Sequence, residues 1–547
     1  MALVLAVGCT ADPSGGEGTT TAPPASGGST TTGSVQNFDA YSVCWGAEPA
    51  QGTDEISFAD ETDAHGLGDA LTGMKGHAAA WGDVDGDGSV DLFVGTFATA
   101  RTETYQERGA NGPAPDRLLL GRGRTFELVA GFPEQFGRTS GAVLVDLDGD
   151  GDLDLVASRN VTDREEGVAT AVLENTEEGF VEREAGIDPS LGGRSVGVLD
   201  YDGDGLLDLV ILEDHYRGGS SRLYRSLGDF MFEDVTGQVG FPDGVHGLGL
   251  ATGDLNNDGS TDLFVAGSNR LFAGTGSGFT EEPGAVGDWE TFGPEDDVSG
   301  AAIADVNRDG WLDLVVGHHF NSTVDRGSSV PVRLYLNETS DPGGPIVLRD
   351  VTETAGLTGL PTKAPHVEFA DMDNDGWPDI VTSASASEGS APAVFRHLGL
   401  EGGVPQFAPP EGLGSPQYWV TGPTSDIDRD GRLDLLAVEW EPALPSIMFM
   451  NQTESGNWLQ VSVSSALGGV GSRVEVYEEG KAGEVDALLG ARELTASLGY
   501  TAGVELMAHF GLGGENAVDV VVTSPGRDPV SLSAVAANSR IDVGGDC

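Results

Sequence analysis

Carboxylates recur in this chain at one fixed spacing. The pattern D-x-[DN]-x-D-G-x-x-D occurs seven times, and its side chains at positions 1, 3, 5 and 9 can converge on one point. They are Asp83, Asp85, Asp87 and Asp91 in the first copy, Asp146, Asp148, Asp150 and Asp154 in the second, and Asp200, Asp202, Asp204 and Asp208 in the third. Asp254, Asn256, Asp258 and Asp262 form the fourth, and Asp305, Asn307, Asp309 and Asp313 the fifth. Asp371, Asp373, Asp375 and Asp379 form the sixth, and Asp426, Asp428, Asp430 and Asp434 the seventh. Hard cations with six to eight oxygen ligands suit such a set, whereas zinc prefers nitrogen or sulfur. Glycine at position 6 permits a sharp turn, and the carbonyl of position 7 adds a ligand. The expectation is about seven structural calcium ions, offsetting about 14 negative charges. EF-hands do not fit, because the bidentate Glu at position 12 is missing and the flanking segments read as strands.

The loops need elements to hold them. Successive copies start 51 to 66 residues apart, room for four short strands and no long helix. An apolar run enters each loop (GAVLV before Asp146) and a second leaves it (DLVVG from Asp313). A third has a recurrent shape: RLLLG from Arg117, RLYRS from Arg222, RLFAG from Arg270, RLYLN from Arg333 and IMFMN from Ile447. A fourth precedes an acidic turn, as in FEDVT from Phe232 and LRDVT from Leu348. This is strand-and-turn chemistry. It predicts an all-β chain whose main body is a seven-bladed β-propeller over 51–455. The last repeat lacks a clear fourth strand, and ISFADET from Ile56 is available to supply it, which would close the ring and remove its open edge.

From Asn457 the repeat stops. NWLQVSV, GSRVEVYEEG and AVDVVVTSPG predict a small antiparallel β-domain over 456–547. At the other end, residues 1–9 resemble a lipoprotein signal with Cys9 as the lipidated residue, a plain secretory signal being the other reading. Residues 10–50, rich in Thr, Ser, Gly and Pro, predict a tether. Either signal implies export, to an outer-membrane anchor or the extracellular space, with no membrane contact beyond a lipid at Cys9. Export implies an oxidising compartment, where Cys44 and Cys547 are expected to pair. With 88 acidic and 28 basic residues, a formal charge of −60, the chain repels phosphate backbones, so no nucleic-acid partner is expected.

These residues carry a resemblance. The loops and strands look like the VCBS/FG-GAP repeats of integrin-type propellers. GSRVEV (471–476), LGYTA (498–502) and HFGLG (509–513) look like the ASPIC/UnbV domain. The pairing resembles the cartilage acidic protein family. That resemblance implies an extracellular binding or adhesion scaffold and supplies no settled activity.

A second face can be placed by strand length. At about 3.3 Å per residue, side chains six to eight positions from a loop lie about 20 Å from its cation, at the other mouth of the ring. His77, His246, His366, His215, His318 and His319 fall near this distance, as do Arg138, Arg194, Asp297, Tyr418 and Trp419. One expectation is a mouth that binds a glycan or protein ligand. The alternative is one copper, zinc or iron ion held by imidazoles, and with it a metal-dependent enzyme. Neither HExxH nor a close His pair with a carboxylate supports the metal. Gly193-Arg194-Ser195-Val196-Gly197 matches G-x-S-x-G, but it enters a calcium loop rather than a strand-to-helix elbow. A third reading is a structural partner in surface assembly.

Overall fold

The computed structural model describes residues 41–545 except 54, 99–101, 162–167, 215–218, 287–297, 320–331, 358–359, 361–362, 385–390 and 414–417. Each of the seven repeats forms its own antiparallel sheet, ordered from the strand that enters the aspartate loop outwards. In the first, Gly76–Gly82 enters the loop and Asp91–Thr96 leaves it, followed by Arg117–Arg122 and Thr125–Leu128. Alternation of side chains across each strand binds sheet to sheet. Leu92 and Val94 pack with Leu436, Val438 and Met448 of the seventh sheet. Phe93, between them, packs with Leu144, Leu155 and Leu173 of the second. Strands buried on both faces therefore read as continuous apolar runs. Contact between the first and seventh sheets closes the ring.

Closure follows the expected route. Phe58–Asp60 pairs antiparallel with Ile447–Asn451, Phe58 opposite Asn451, so the N-terminal strand completes the last sheet. The sixth sheet departs from the pattern. Its third and fourth strands, Ala391–Phe395 and Glu411–Leu413, are separated by an inserted hairpin of His397–Glu401 and Val404–Phe407.

The tail is two four-stranded sheets packed through Leu459, Val461, Val474, Val476, Phe510, Val518, Val520 and Ile541. Three features differ from the sequence reading. First, Tyr41–Gly46, assigned above to the tether, is the edge strand of one tail sheet, pairing with Ser539–Val543. Second, that sheet is not wholly antiparallel: Asn457–Val463 runs parallel to Ser539–Val543, with Leu459 opposite Ser539. The parallel pair joins two segments distant in sequence, which local patterning cannot reveal. Third, the LGYTA segment leaves the tail and enters the ring. Ala502 and Gly503 pair in parallel with Ala79 and Ala80 of the first sheet, and Gly499 exchanges backbone hydrogen bonds with Ala301 of the fifth. Cys44 is disulfide-bonded; Cys9 and Cys547 lie outside the described residues.

Candidate functional site: the aspartate loops and the opposite mouth

The seven loops share one internal wiring. The position 1 carboxylate accepts the N–H of Gly at position 6: Gly88 donates to Asp83 and Gly259 to Asp254, each at 2.7 Å. Position 5 accepts the N–H of position 7, as Ser89 to Asp87 at 2.7 Å. The glycine is required, since Gly88 has φ +81° and Gly310 +84°. Position 4 is also left-handed, and there the sequence offered no signal, because Asn257, Arg308, Asn374 and Arg429 occupy it as well as glycine.

Position 9 has a structural role of its own. One oxygen of Asp262 accepts the N–H of Leu255 at position 2, and the other accepts the N–H of Gly274 in the third strand, both at 2.8 Å. The same double anchor recurs at Asp91, Asp154, Asp208, Asp313, Asp379 and Asp434. This buried carboxylate ties the loop to the body of its sheet.

The donor set fits a divalent cation. Positions 1, 3 and 9 bring carboxylate oxygens within 4.8 Å of one another in the first, second, third, sixth and seventh loops. The fourth and fifth have Asn256 and Asn307 at position 3, which offer a neutral amide oxygen. Burial pushes the Asp91, Asp154 and Asp208 carboxyls up to about 7 and Asp262 to about 8. Neighbouring carboxylates add to the rise, so each loop gains from positive charge. Part of it comes from arginines at the ends of the third strands: Arg122 bonds Asp85 and Asp87 at 2.6 and 2.8 Å, and Arg396, just past its strand, bonds Asp373 at 2.8 Å.

The tail docks on this same face. Arg473 donates to Asn257 Oδ1 (3.1 Å) and to the Gly310 carbonyl (2.7 Å). Gln460 donates to Asp426 Oδ2 (2.9 Å), His509 Nε2 lies 2.7 Å from Asn374 Oδ1, and Glu493 accepts the N–H of Asp254 (2.9 Å). From there residues 497–503 pass into the channel, where small residues admit them. A Cβ on Gly249 would lie 2.4 Å from the Gly499 carbonyl oxygen. Ser195 Oγ donates to the Leu248 carbonyl (2.6 Å) and accepts the Thr501 N–H (3.1 Å). The serine of the G-x-S-x-G match therefore holds the plug.

Tyr500, at the tip, reaches the opposite mouth and floors a cavity of about 280 Å³. His77, His319, Arg138, Arg194 and Tyr418 line it as the sequence expected, joined by Phe97, Lys363 and Trp440. His77 stacks on Phe97 with centroids 4.1 Å apart, and His319 Nε2 lies 2.9 Å from the Tyr418 hydroxyl. Arg194 pairs with buried Asp214 at 2.5 Å, and Arg138 lies over Phe97 at 4.4 Å. One counting rule would have found two of the missed rings: like His319, Phe97 and Trp440 stand six residues after their position 9 Asp.

The remaining candidates go elsewhere. His366 is buried in the channel wall, 3.3 Å from the Tyr500 N–H. His318 is buried and His246 half-buried, and neither lines the cavity. Trp419 is a core residue against Phe449. His215 and Asp297 lie outside the described residues. Six of the entering strands carry a register shift at this end, the sixth sheet's being the exception.

The alternative of an imidazole-held metal finds no such cluster among the described residues. Among the described residues, the acid, His or Cys sets close enough to share an ion are all aspartate triads. His77 and His319 instead sit among guanidinium and ammonium groups. Burial first, then the charges of Arg194 and Arg138, hold His77 well below the usual imidazole range. Burial and the charges of Lys363 and Arg194 push His319 down to about 3. The same cations would repel a metal ion.

Comparison with known proteins agrees with this division. The FG-GAP-like repeat matches residues 200–265 and 371–437, and the ASPIC and UnbV domain matches 463–545. Cartilage acidic protein 1 of Mus musculus is 28% identical over 83% of this chain and 71% of its own length. The Homo sapiens protein is 27% identical over 84% and 71%. The chain carries FG-GAP-like repeats with an ASPIC and UnbV domain and is similar to cartilage acidic protein 1. Similar solved structures include the Dos1 propeller, with a TM-score of 0.38 and 11% identity over 70% of this chain and 94% of that one. The Vibrio cholerae biofilm matrix protein Bap1 has a TM-score of 0.26 and 14% identity over 92% and 69%. The two FG-GAP-like matches contain the third, fourth, sixth and seventh aspartate loops. The ASPIC and UnbV match contains most of the tail sheets' core and the plug, so one sequence domain serves two structural places.

Proposed function

We propose that the protein is an extracellular, calcium-stabilised binding protein that takes a glycan or protein ligand at the mouth opposite the aspartate loops. One observation carries this reading. The tail covers several loops on one face and threads the channel, while a cavity lined by aromatic and charged side chains is built on the other. Small cavities with a few placed polar groups are the usual form of a ligand site. Calcium would be held by positions 1, 3, 5 and 9 of each loop, neutralising repelling carboxylates and fixing the turn between two strands. Export is supported by the disulfide at Cys44, a bond favoured in oxidising compartments. Cys9 would be the point of any lipid anchor.

Screening the calcium-loaded chain against glycans and matrix proteins, beside its Trp440→Ala variant, tests the reading. Binding that the substitution abolishes supports the mouth. Binding that survives it places the ligand elsewhere, and no binding in either chain removes the reading.

A further inference from the structure

The seven aspartate loops are not equally open to solvent. In the first and second, Asp85, Asp87, Asp148 and Asp150 are exposed. In the sixth, Asp371, Asp373 and Asp379 are buried and only Asp375 is exposed. In the seventh, Asp426 and Asp434 are buried, and Asp428 and Asp430 are half-buried. The difference comes from the tail. Its paired strands Asn457–Val463 and Met507–Gly513 place Gln460 opposite His509. Gln460 donates to Asp426 of the seventh loop, and His509 meets Asn374 of the sixth. Asn374 in turn donates to the Gly431 carbonyl of the seventh loop (2.8 Å), and its own carbonyl accepts the Gly513 N–H (2.9 Å). The seating leaves no room for a side chain at Gly511, where a Cβ would lie 2.6 Å from the Asn374 backbone and run into Asp371 Oδ2.

Resting on the reading of the loops as calcium sites, we propose that the tail is a lid that shuts the calcium ions of the sixth and seventh loops away from solvent. Those ions exchange slowly, while the ions of the open loops exchange freely. Carboxylates crowded together out of water repel one another and need positive charge among them. Arg396 beside Asp373, Arg432 beside Asp430 and Arg124 beside Asp428 supply part of it. Asp428 Oδ1, buried and with no hydrogen-bond partner among the described residues, is left for the cation. Docking the tail over empty loops would bury the repulsion, and docking it over filled loops would not. The coupling is reciprocal, so calcium holds the tail down and the tail holds calcium in. Only residues 504–506 separate the plug from Met507, so the same ions keep Tyr500 seated in the channel.

The test is stopped-flow release of calcium from the loaded full chain into an excess of a fluorescent chelator. Two phases are expected, the slow one carrying about two ions per chain and running about ten-fold or more below the fast one. Gly511→Ala, which lifts its strand off the sixth loop, should abolish most of the slow phase. Asp85→Asn should take one ion from the fast phase and leave the slow phase unchanged. Hydrogen exchange of the unsubstituted chain gives a second readout: amides of residues 497–513 should exchange about ten-fold or more faster in EDTA than in calcium. Release of every bound ion in one fast phase overturns the lid and leaves the calcium reading standing, and so does exchange at 497–513 that calcium does not slow. A chain that binds no calcium overturns both.

Discussion

The Tyr500 hydroxyl lies 3.4 Å from His77 Nε2, although 423 residues separate them in sequence. Tyr500 comes from the tail and His77 from the first sheet, so their contact records the passage of the plug through the whole ring. Gly499 precedes Tyr500 at φ +62°, and a Cβ there would lie 2.4 Å from His366 Nδ1. Gly499→Ala should therefore meet both left-handed backbone strain, about 1–2 kcal/mol, and overpacking, about 1–3 kcal/mol. Denaturant unfolding is expected to show a loss of that combined order. An unchanged midpoint would mean the plug is not seated as described.

The two kinds of loop aspartate should separate experimentally. Asp262 accepts two backbone N–H groups, whereas Asp85 bonds the exposed side chain of Arg122. Asp262→Asn turns one acceptor into a donor facing a buried donor and should cost about 1–3 kcal/mol even in EDTA. Asp85→Asn should leave stability in EDTA nearly unchanged and lower calcium affinity at one loop. Melting curves with and without calcium distinguish them, and equal behaviour of the two variants in EDTA would contradict the anchoring role.

Metal-free stability should fall as pH rises. The Asp91, Asp154 and Asp208 carboxyls titrate near 7 in the folded chain and Asp262 near 8, against a usual value of 3.8. Between about pH 4 and 8 the native state thus binds more protons than the unfolded chain, and each such carboxyl lowers stability by up to about 1.4 kcal/mol per pH unit. Their contribution is fully present below pH 4 and lost through pH 7–8. Calcium takes the place of the proton, so its stabilising increment should grow over the same range. Melting in EDTA and in calcium at pH 5 and pH 8 measures both slopes. An increment independent of pH would argue against these carboxylates as ligands.

Strand Tyr41–Gly46 pairs with Ser539–Val543, bringing Cys44 beside the last strand of the tail. Non-reducing peptide mapping is expected to recover Cys44 linked to Cys547, and Cys44→Ser to cost about 2–5 kcal/mol. Recovery of Cys44 joined to Cys9 instead would contradict the expected pairing.

What was legible in the sequence was whatever repeats locally. Asp83 to Asp91 and its six copies announce an oxygen-ligand loop between two strands, because position 6 must turn sharply and positions 1, 3 and 5 must face inward. Strand length then placed His77, Arg138, Arg194, His319 and Tyr418 at the far mouth. The sequence by itself thus determined the repeat, the closure by Ile56–Asp60 and the kind of cation the loops suit. Only the tertiary structure decided which histidines share the mouth, since counting along a strand fixes the distance from the loop but not whether the side chain is buried in the wall, as His366 is. It alone decided that Tyr41–Gly46 joins the tail and that LGYTA fills the channel. Both depend on pairings across hundreds of residues, where small side chains such as Gly249 leave room for a second backbone, and no local pattern records which backbone that is.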